Sequence, residues 1–485
     1  MRKVMPAMGL ALVLLSGGAA AAGLGPLWQE MQRSSPLLNA GRMGYIATQE
    51  AGSQAQAALL PSLSAGTGSS WTEQRLSDQG RQQIGSNGYA VALTMPIVDI
   101  AAWKQLDIAH LQETVGAWRW QAQQRQLMVD LAKAWFAQQD AQVEQGVAQH
   151  HLQLVAIDLK RALARYQAGE VTRVDVDEVQ AAYDLAEADA AEADSRGAQT
   201  QDALRQIVGT DPGRVAWLPA RLTLPSVRAR PLSWWLRQAT EHNDAIAMAA
   251  LEAEVADRRI NKIKAEWLPR VDMVASWNHS SHSASDYQYS RGFTSVDGIT
   301  TAQGAGDSAV IGMQVTVPLY SGGATLSRER EAIALSEQAR YEWRNEQSKS
   351  VTQTRRLYNS LLIGEKRLRA LQQAAASSAK ASGSVALGYS LGERVSSDLL
   401  SARQQQDEVR NRLQQETSKY LINWLSLLQQ TGALDARALT SVDALFSDAE
   451  AQGYAVEKPL IISFEAYSAR ATDSPESATV VSLEQ

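Results

Sequence analysis

Two periodicities share this chain. Over residues 89–95 the large apolar side chains Tyr89, Val91, Leu93 and Met95 alternate with Ala90, Ala92 and Thr94; over 311–317, Ile311, Met313, Val315 and Val317 alternate with Gly312, Gln314 and Thr316. A period of two, bulky on one face and small or polar on the other, predicts a two-faced strand. Val271, Met273, Ala275 and Trp277 repeat the pattern, and Leu63 to Trp71 carries a weaker version. Four strands are therefore expected, each about 9–11 residues, the length a tilted strand needs to cross a bilayer. A soluble sandwich sheet would alternate identically. The Gly, Ser and Thr on the second face, where a packed core needs bulk, favour the membrane strand.

The second periodicity is 3.5. Leu111, Val115, Trp118, Ala122, Arg125, Val129, Ala132 and Phe136 recur at spacings of 4 and 3, with Arg125 the only polar member; Val351, Thr354, Tyr358, Leu361, Glu365, Leu368, Gln372, Ala375 and Ala379 keep the rhythm with more interruptions. This spacing predicts helices packed side by side as a coiled coil. Long helices are expected over about 100–167, 173–208, 323–387 and 395–431, and shorter ones over 35–60 and 236–267. Some 67 residues of helix reach on the order of 100 Å, a rod.

The chain also repeats itself. Tyr166, Gly169, Glu170, Asp175 and Asp184 recur as Tyr389, Gly392, Glu393, Asp398 and Asp407, all 223 residues on. Leu93-Thr-Met-Pro96 matches Val315-Thr-Val-Pro318 at 222, and Leu60-Pro61 matches Leu268-Pro269 at 208. Offsets that change only across one stretch indicate a tandem duplication with an insertion between Pro269 and Pro318. Each half reads helix, two strands, two helices. The expected organisation is a signal peptide (1–22), a first repeat (23–215), a second repeat (216–434) and a C-terminal periplasmic tail (435–485) containing Pro459, whose role is open.

Composition narrows the class. Arg2 and Lys3, the apolar run Met8–Leu15 and the small residues up to Ala20-Ala21-Ala22 read as a secretory signal peptide cut after about Ala22. Removing it leaves 44 basic against 52 acidic residues, a net charge of −8. With no dense Lys/Arg run, nucleic acid is not an expected partner. The chain has no Cys, which excludes disulfides, a thiol nucleophile and a lipidated N-terminal Cys. An exported chain with four bilayer-length strands faces a closure problem. Open sheet edges in hydrocarbon cost several kcal/mol per unpaired group, and membrane barrels need at least about eight strands. Several chains must share one barrel; three supply twelve strands and room for a bore.

This order of elements, the duplication, the strand-end signature Val315-Thr-Val-Pro-Leu-Tyr-Ser-Gly-Gly323 and the turn signature Gly388-Tyr-Ser-Leu-Gly-Glu-Arg394 followed by Asp398 resemble the TolC-type outer-membrane efflux and type I secretion channels. The resemblance covers roughly residues 24–434, including Ala134-Trp-Phe-Ala-Gln-Gln-Asp140 and Tyr420-Leu-Ile-Asn-Trp424. It implies a mixed α and β membrane protein: a homotrimer whose twelve-stranded barrel, four strands per chain, lies in the outer membrane of a Gram-negative bacterium and continues into the periplasm as an α-helical coiled-coil barrel closed at rest. It implies a passive duct for secreted proteins or small toxic compounds, with no cofactor. The implied partners are outer-membrane lipid, a periplasmic adaptor (membrane fusion) protein and, through it, an inner-membrane ABC or proton-driven transporter. Without Cys the chain resembles the unlipidated branch.

Carried over residue by residue, the resemblance puts Asp175, Tyr389 and Arg394 at a periplasmic gate, with Val174 where relatives have a hydroxyl, and Asp398 and Ser401 at a constriction ring where relatives carry two aspartates. Gly169 and Gly392 become adaptor-docking turns. Pro61, Pro96, Pro269 and Pro318 mark strand ends. Asp175 and Asp398 equally suit the first turns of helices, where negative charge is favoured. Trp71, Trp277, Tyr287 and Tyr289 fit either an interfacial aromatic girdle or ordinary packing. His279-Ser-Ser-His282 reads as polar external loop, and His150-His151 face different sides of a helix. No Gly-x-Ser-x-Gly, His-Glu-x-x-His or phosphate-loop motif is present, so no enzyme is expected. The competing class is a periplasmic coiled-coil structural or adaptor protein with a small soluble sheet.

Overall fold

The computed structural model describes residues 23–76, 80–213, 221–286, 304–391, 393–445 and 461–466. The signal segment 1–22, Tyr287, Tyr289, Gly392 and, in the C-terminal segment, 446–460 and 467–485 lie outside them. In chain order the elements are α1 (Leu24–Ser34), α2 (Pro36–Ala57), β1 (Ser62–Leu76), β2 (Gly80–Val98), α3 (Ile100–Gln167), α4 (Arg173–Val208), β3 (Arg221–Ser226), a 3₁₀ turn (Val227–Ala229), α5 (Leu232–His242), α6 (Asp244–Ala265), β4 (Arg270–Asp286), β5 (Gly304–Thr316), α7 (Ala324–Ser390), α8 (Ser396–Gln430), α9 (Ala436–Ala444) and β6 (Ile461–Ala466). Two compact units emerge, one formed by Met43–Trp120 with Ala245–Glu346, the other by Met1–Arg42, Gln121–Asp244 and Gln347–Gln485.

The first unit is built on an antiparallel sheet of order β1-β2-β4-β5. Its register sets Leu63 opposite Leu93, Leu93 opposite Ala275 and Ala275 opposite Ile311; Met95, Met273 and Met313 align two residues along. Side chains alternate faces, so these pairings gather the alternating bulky positions of the four strands on one face. There Leu63, Ile311, Met313 and Val315 are 71%, 82%, 68% and 61% exposed. The opposite face carries Gly66, Gly68, Ala90, Ala92, Ser276 and Gly312, with Val274 and Val310 as larger members. Among the described residues, β1 and β5 are each paired along one edge only.

The strands are longer than their alternation predicts, at 15, 19, 17 and 13 residues. Beyond Tyr89, Trp277 and Ala309 the text turns to Gly, Ser, Asn and Gln, which erases the hydrophobic signal without interrupting the ladder. His279 and His282, expected in a loop, therefore belong to β4. His279 Nδ1 lies 2.7 Å from Asp307 Oδ1, and its ring stacks on Tyr89 at 4.8 Å. Pro61 and Pro269 directly precede β1 and β4, and Pro318 follows β5 by two residues. Pro96 instead sits inside β2, at a register shift between Pro96 and Val98 where a missing N–H is tolerated.

The predicted helices come in the expected order, joined by the short α1 and α9. α2 matches the stretch predicted over 35–60, and α1 is separated from it at Ser35, which is extended (φ −69°, ψ 121°) because Pro36 follows. The stretch predicted as one helix over 236–267 is instead α5 and α6, broken at Asn243 (φ −76°, ψ 125°). Each break caps the end of another helix. Ser34 and Ser35 donate through Oγ to the carbonyls of Val208 (2.9 Å) and Ile207 (2.8 Å), closing α4; Asn243 Nδ2 donates to the Gln430 carbonyl (3.0 Å), closing α8. Both ends are followed by positive-φ residues, Gly209 (90°) and Gly432 (68°). A Cβ on either would lie 2.7 Å from the Ser34 carbonyl oxygen or 2.3 Å from that of His242, so only glycine fits.

Beneath these ends, α3 packs through apolar residues (Val129, Leu131, Ala132, Trp135, Phe136, all at most 2% exposed). The flanking contacts are polar. Towards α4, Arg196 Nη1 reaches both Glu144 oxygens (2.7 and 2.9 Å); towards α8, Asp140 accepts from Ser418 Oγ (2.7 Å) and Gln414 Nε2 (3.2 Å). The charged interruptions of the two heptad patterns, Arg125 and Glu365, are anchors. Arg125 donates to the Leu434 carbonyl (3.2 Å) and to the Asp244 carboxylate, with both side chains largely buried (13% and 8% exposed). Glu365, fully buried on α7, accepts from Arg228 Nε (2.7 Å) and Ser226 Oγ. Ser226 ends β3 and Arg228 follows it; β3 pairs in parallel with β6, and its Leu222 and Leu224 are buried. This two-stranded sheet had no counterpart in the sequence expectations.

Arg125→Ala removes one partner of a buried pair and is expected to cost about 3–5 kcal/mol. Arg125→Met with Asp244→Leu should recover most of it by thermal melting in detergent, and equal losses in single and double variants would refute the pairing. A second expectation concerns pH. Burial, with Glu144 adding in the same direction, pushes the Asp140 carboxyl up to about 6, against 3.8 ordinarily. A carboxyl raised on folding contributes stability that is complete below about pH 4 and is lost as pH rises through about 6, at most about 3 kcal/mol. The melting temperature should fall between pH 4 and 7.5, and Asp140→Asn should flatten that part of the profile.

Candidate functional site: the two interhelical turns

The predicted gate residues sit where α3 passes into α4 and α7 into α8. In the first turn Gly169 adopts φ +79°, and nothing lies within 4 Å of where its Cβ would be. The Gly169 N–H donates to Tyr166 O (3.0 Å) and the Glu170 N–H to Arg165 O (2.9 Å), while Arg165 Nε reaches Glu170 Oε2 at 3.2 Å. The second turn repeats the wrap: the Glu393 N–H donates to Gly388 O at 2.9 Å, both residues 223 positions beyond their counterparts. Gly392, assigned with Gly169 to adaptor docking, lies outside the described residues.

The two turns differ in how they start the next helix. Thr172 caps α4 in a reciprocal box: the Asp175 N–H donates to Thr172 Oγ1 (3.3 Å), and Asp175 Oδ2 accepts from the Thr172 N–H (2.7 Å) and hydroxyl (2.8 Å). These donors, the backbone N–H first, hold the Asp175 carboxyl below its ordinary range. At the other turn Val395 offers no side-chain cap. Asp398 instead faces Arg394 one helical turn earlier, Nη1 to Oδ2 at 3.5 Å. The Arg394 stem lies over Gly388, whose Cβ would come within 3.0 Å of Arg394 Cγ.

Of the predicted residues, then, Arg394 and Asp398 come together within the chain, whereas Asp175 serves Thr172. Tyr389 is half-buried in the last turn of α7, Ser401 is exposed one turn after Asp398, and Val174 is 64% exposed. Thr172 was missed as a site residue, although Thr172-x-x-Asp175 is a capping signature readable from spacing. Arg394 and Asp398 leave an exposed, weakly held pair of charges at the turn, an arrangement that forms and breaks at little cost: exposed pairs contribute about 0.2–1 kcal/mol.

Comparison with known proteins gives the context. The family model described as "outer membrane efflux protein" matches residues 27–210 and 235–433. The chain is 27% identical to the proteases secretion protein PrtF of Dickeya chrysanthemi, covering 93% of this chain and 96% of the relative. It is 26% identical to the outer membrane protein TolC of Escherichia coli K12, covering 98% of both. Among solved structures, the Campylobacter jejuni CmeC outer membrane channel shares the fold with a TM-score of 0.69 at 11% identity, over 92% of this chain and 98% of that one. With matches running through both halves and nearly end to end, the chain belongs to the outer membrane efflux protein family.

Proposed function

We propose that this chain is one protomer of a homotrimeric exit duct in the outer membrane. In this reading β1, β2, β4 and β5 of three copies close a twelve-stranded barrel, and the long helices continue it into the periplasm. The bare apolar face with its two open edges carries the proposal: bulk faces lipid, Gly, Ser and Ala face the bore, and β5 of one copy completes β1 of the next. The tandem duplication has structural support beyond sequence. Ser35 and Asn243 are 208 residues apart, and Gly209 and Gly432 are 223 apart, the same offsets that relate the repeated motifs.

The duct is passive. Energy enters through a periplasmic adaptor from an inner-membrane ABC or proton-driven transporter, and the two turns are where the adaptor acts. Release of Arg394 from Asp398 accompanies opening, and three Asp398 carboxylates then line the constriction, with Ser401 beside each. The cargo class is a secreted protein or a small toxic compound; similarity to PrtF supports the first.

The protein should be recovered from the outer-membrane fraction and migrate as a trimer on unboiled gels. Recovery as a soluble periplasmic monomer would end the channel reading. Ile311→Arg, on the apolar face, should cost about 2–4 kcal/mol per chain and abolish the trimer band, while Gln314→Arg on the other face should leave it. Asp398→Ala should lower cation selectivity in planar bilayers, and unchanged selectivity would remove Asp398 from the constriction.

A further inference from the structure

The first residues beyond the predicted signal segment meet a carboxylate from the far end of the chain. Asp443 lies on α9, whose Leu439 and Val442 are buried along with Leu24, Leu27, Trp28 and Met31 of α1. Asp443 Oδ1 accepts the Leu24 N–H and Oδ2 the Gly25 N–H, each at 2.5 Å, across more than 400 residues of sequence. Gly23, the N-cap of α1, brings no side chain of its own, so Asp443 does the capping.

Two glycines make room for it. A Cβ on Gly23 would come 2.7 Å from Oδ1 and 3.0 Å from Oδ2, and one on Gly25 would come 2.7 Å from Oδ2. The Gly23 nitrogen shares its carbon with that hypothetical Cβ, about 2.5 Å away across one bond angle, and so sits within about 5 Å of the carboxylate. Burial pushes the Asp443 carboxyl up, opposed only by the N–H groups of Gly25 and Leu24. The carboxylate is thus partly desolvated with two neutral donors, at a distance where an added positive charge would favour its ionised form. Gly23, Gly25 and Asp443 all lie outside the stretches matched by the family model.

We propose that removal of the signal peptide between Ala22 and Gly23 creates the counter-ion of Asp443: the new α-ammonium of Gly23 pairs with this carboxylate and fastens α1 to α9 in the processed chain only. The Ala22–Gly23 amide C–N bond is hydrolysed with one water. The water oxygen becomes part of the Ala22 carboxylate, and both protons end on the Gly23 nitrogen. A single uncharged N–H becomes an ammonium with three donors, which is largely charged at neutral pH because α-amino groups titrate near 8. Processing at this bond then completes a tertiary contact as well as freeing the chain from its leader.

The inference rests on the export reading above, and the test separates the two. The full chain is isolated from outer membranes, its N-terminus fixed by intact mass, and hydrogen exchange of the α1 amides measured. The variants are a Ser-Ser insertion between Ala22 and Gly23, which moves the amine while leaving both Asp443 hydrogen bonds possible, Asp443→Asn, and the two combined. The proposal expects a mature chain starting at Gly23, roughly tenfold faster α1 exchange in each single variant, and no further acceleration in the combination. Native exchange in the insertion variant would reduce Asp443 to a plain cap and overturn the ion pair alone, as would a mature start elsewhere. Absence of the chain from the outer membrane, with the unprocessed chain found only in the cytoplasm, would overturn the export reading and this one together.

Discussion

An unpaired strand edge inside hydrocarbon has nothing to bond to except another strand. In the duct proposed above, that constraint governs the sheet. Among the described residues β1 and β5 each offer one open edge, and the register across β1, β2, β4 and β5 commits most of the bulky side chains to a single face. A one-residue slip in any ladder would send Leu93, Met273 or Ile311 to the face of glycines and serines, so a bilayer against the apolar face would also fix the register. In that reading the two edges find their partners in neighbouring copies, and hydrogen bonding asks for association before any affinity between surfaces is considered.

The helical unit solves a different problem with a different vocabulary. Its long helices are held by a narrow apolar strip flanked by polar contacts, and the charged residues that interrupt the heptads reach out to other elements. Arg125 holds the Leu434 carbonyl beyond α8 and the start of α6; Glu365 holds the turn behind β3. Such bonds have strict geometry where apolar packing tolerates sliding, which fixes the axial position of each helix near these anchors. Towards the two turns the pattern relaxes to exposed pairs such as Arg394 with Asp398.

Much of this was legible from periodicity. The alternation beside Pro96 and Pro318 located β2 and β5, the 3.5 spacing marked α3 and α7, and the repeated Gly turns set α4 and α8 after them. What escaped did so for physical reasons. The outer halves of the strands are Gly- and Ser-rich, and a ladder of backbone bonds needs no hydrophobic signal. The separation of α1 from α2 at Ser35 is written in Pro36, whose ring disfavours helix in the residue before it. At the turns, Thr172-x-x-Asp175 is a capping signature readable from spacing, whereas a carboxylate's role across a helix pair is not a local pattern. Arg125 and Glu365 stood out as interruptions, but partners 119 and 137 residues away are beyond any local pattern.

The pairing of β3 with β6 joins residues such as Thr223 and Ser463, 240 positions apart and in parallel. A contact of that separation closes late, since its loop entropy must be met before the pairing returns anything. β6 is the last of the described elements, so β3 acquires its partner strand only after every other described element has been synthesised. The small sheet thus ties the middle of the chain to its far end, where Phe464 of β6 packs against Tyr420 of α8.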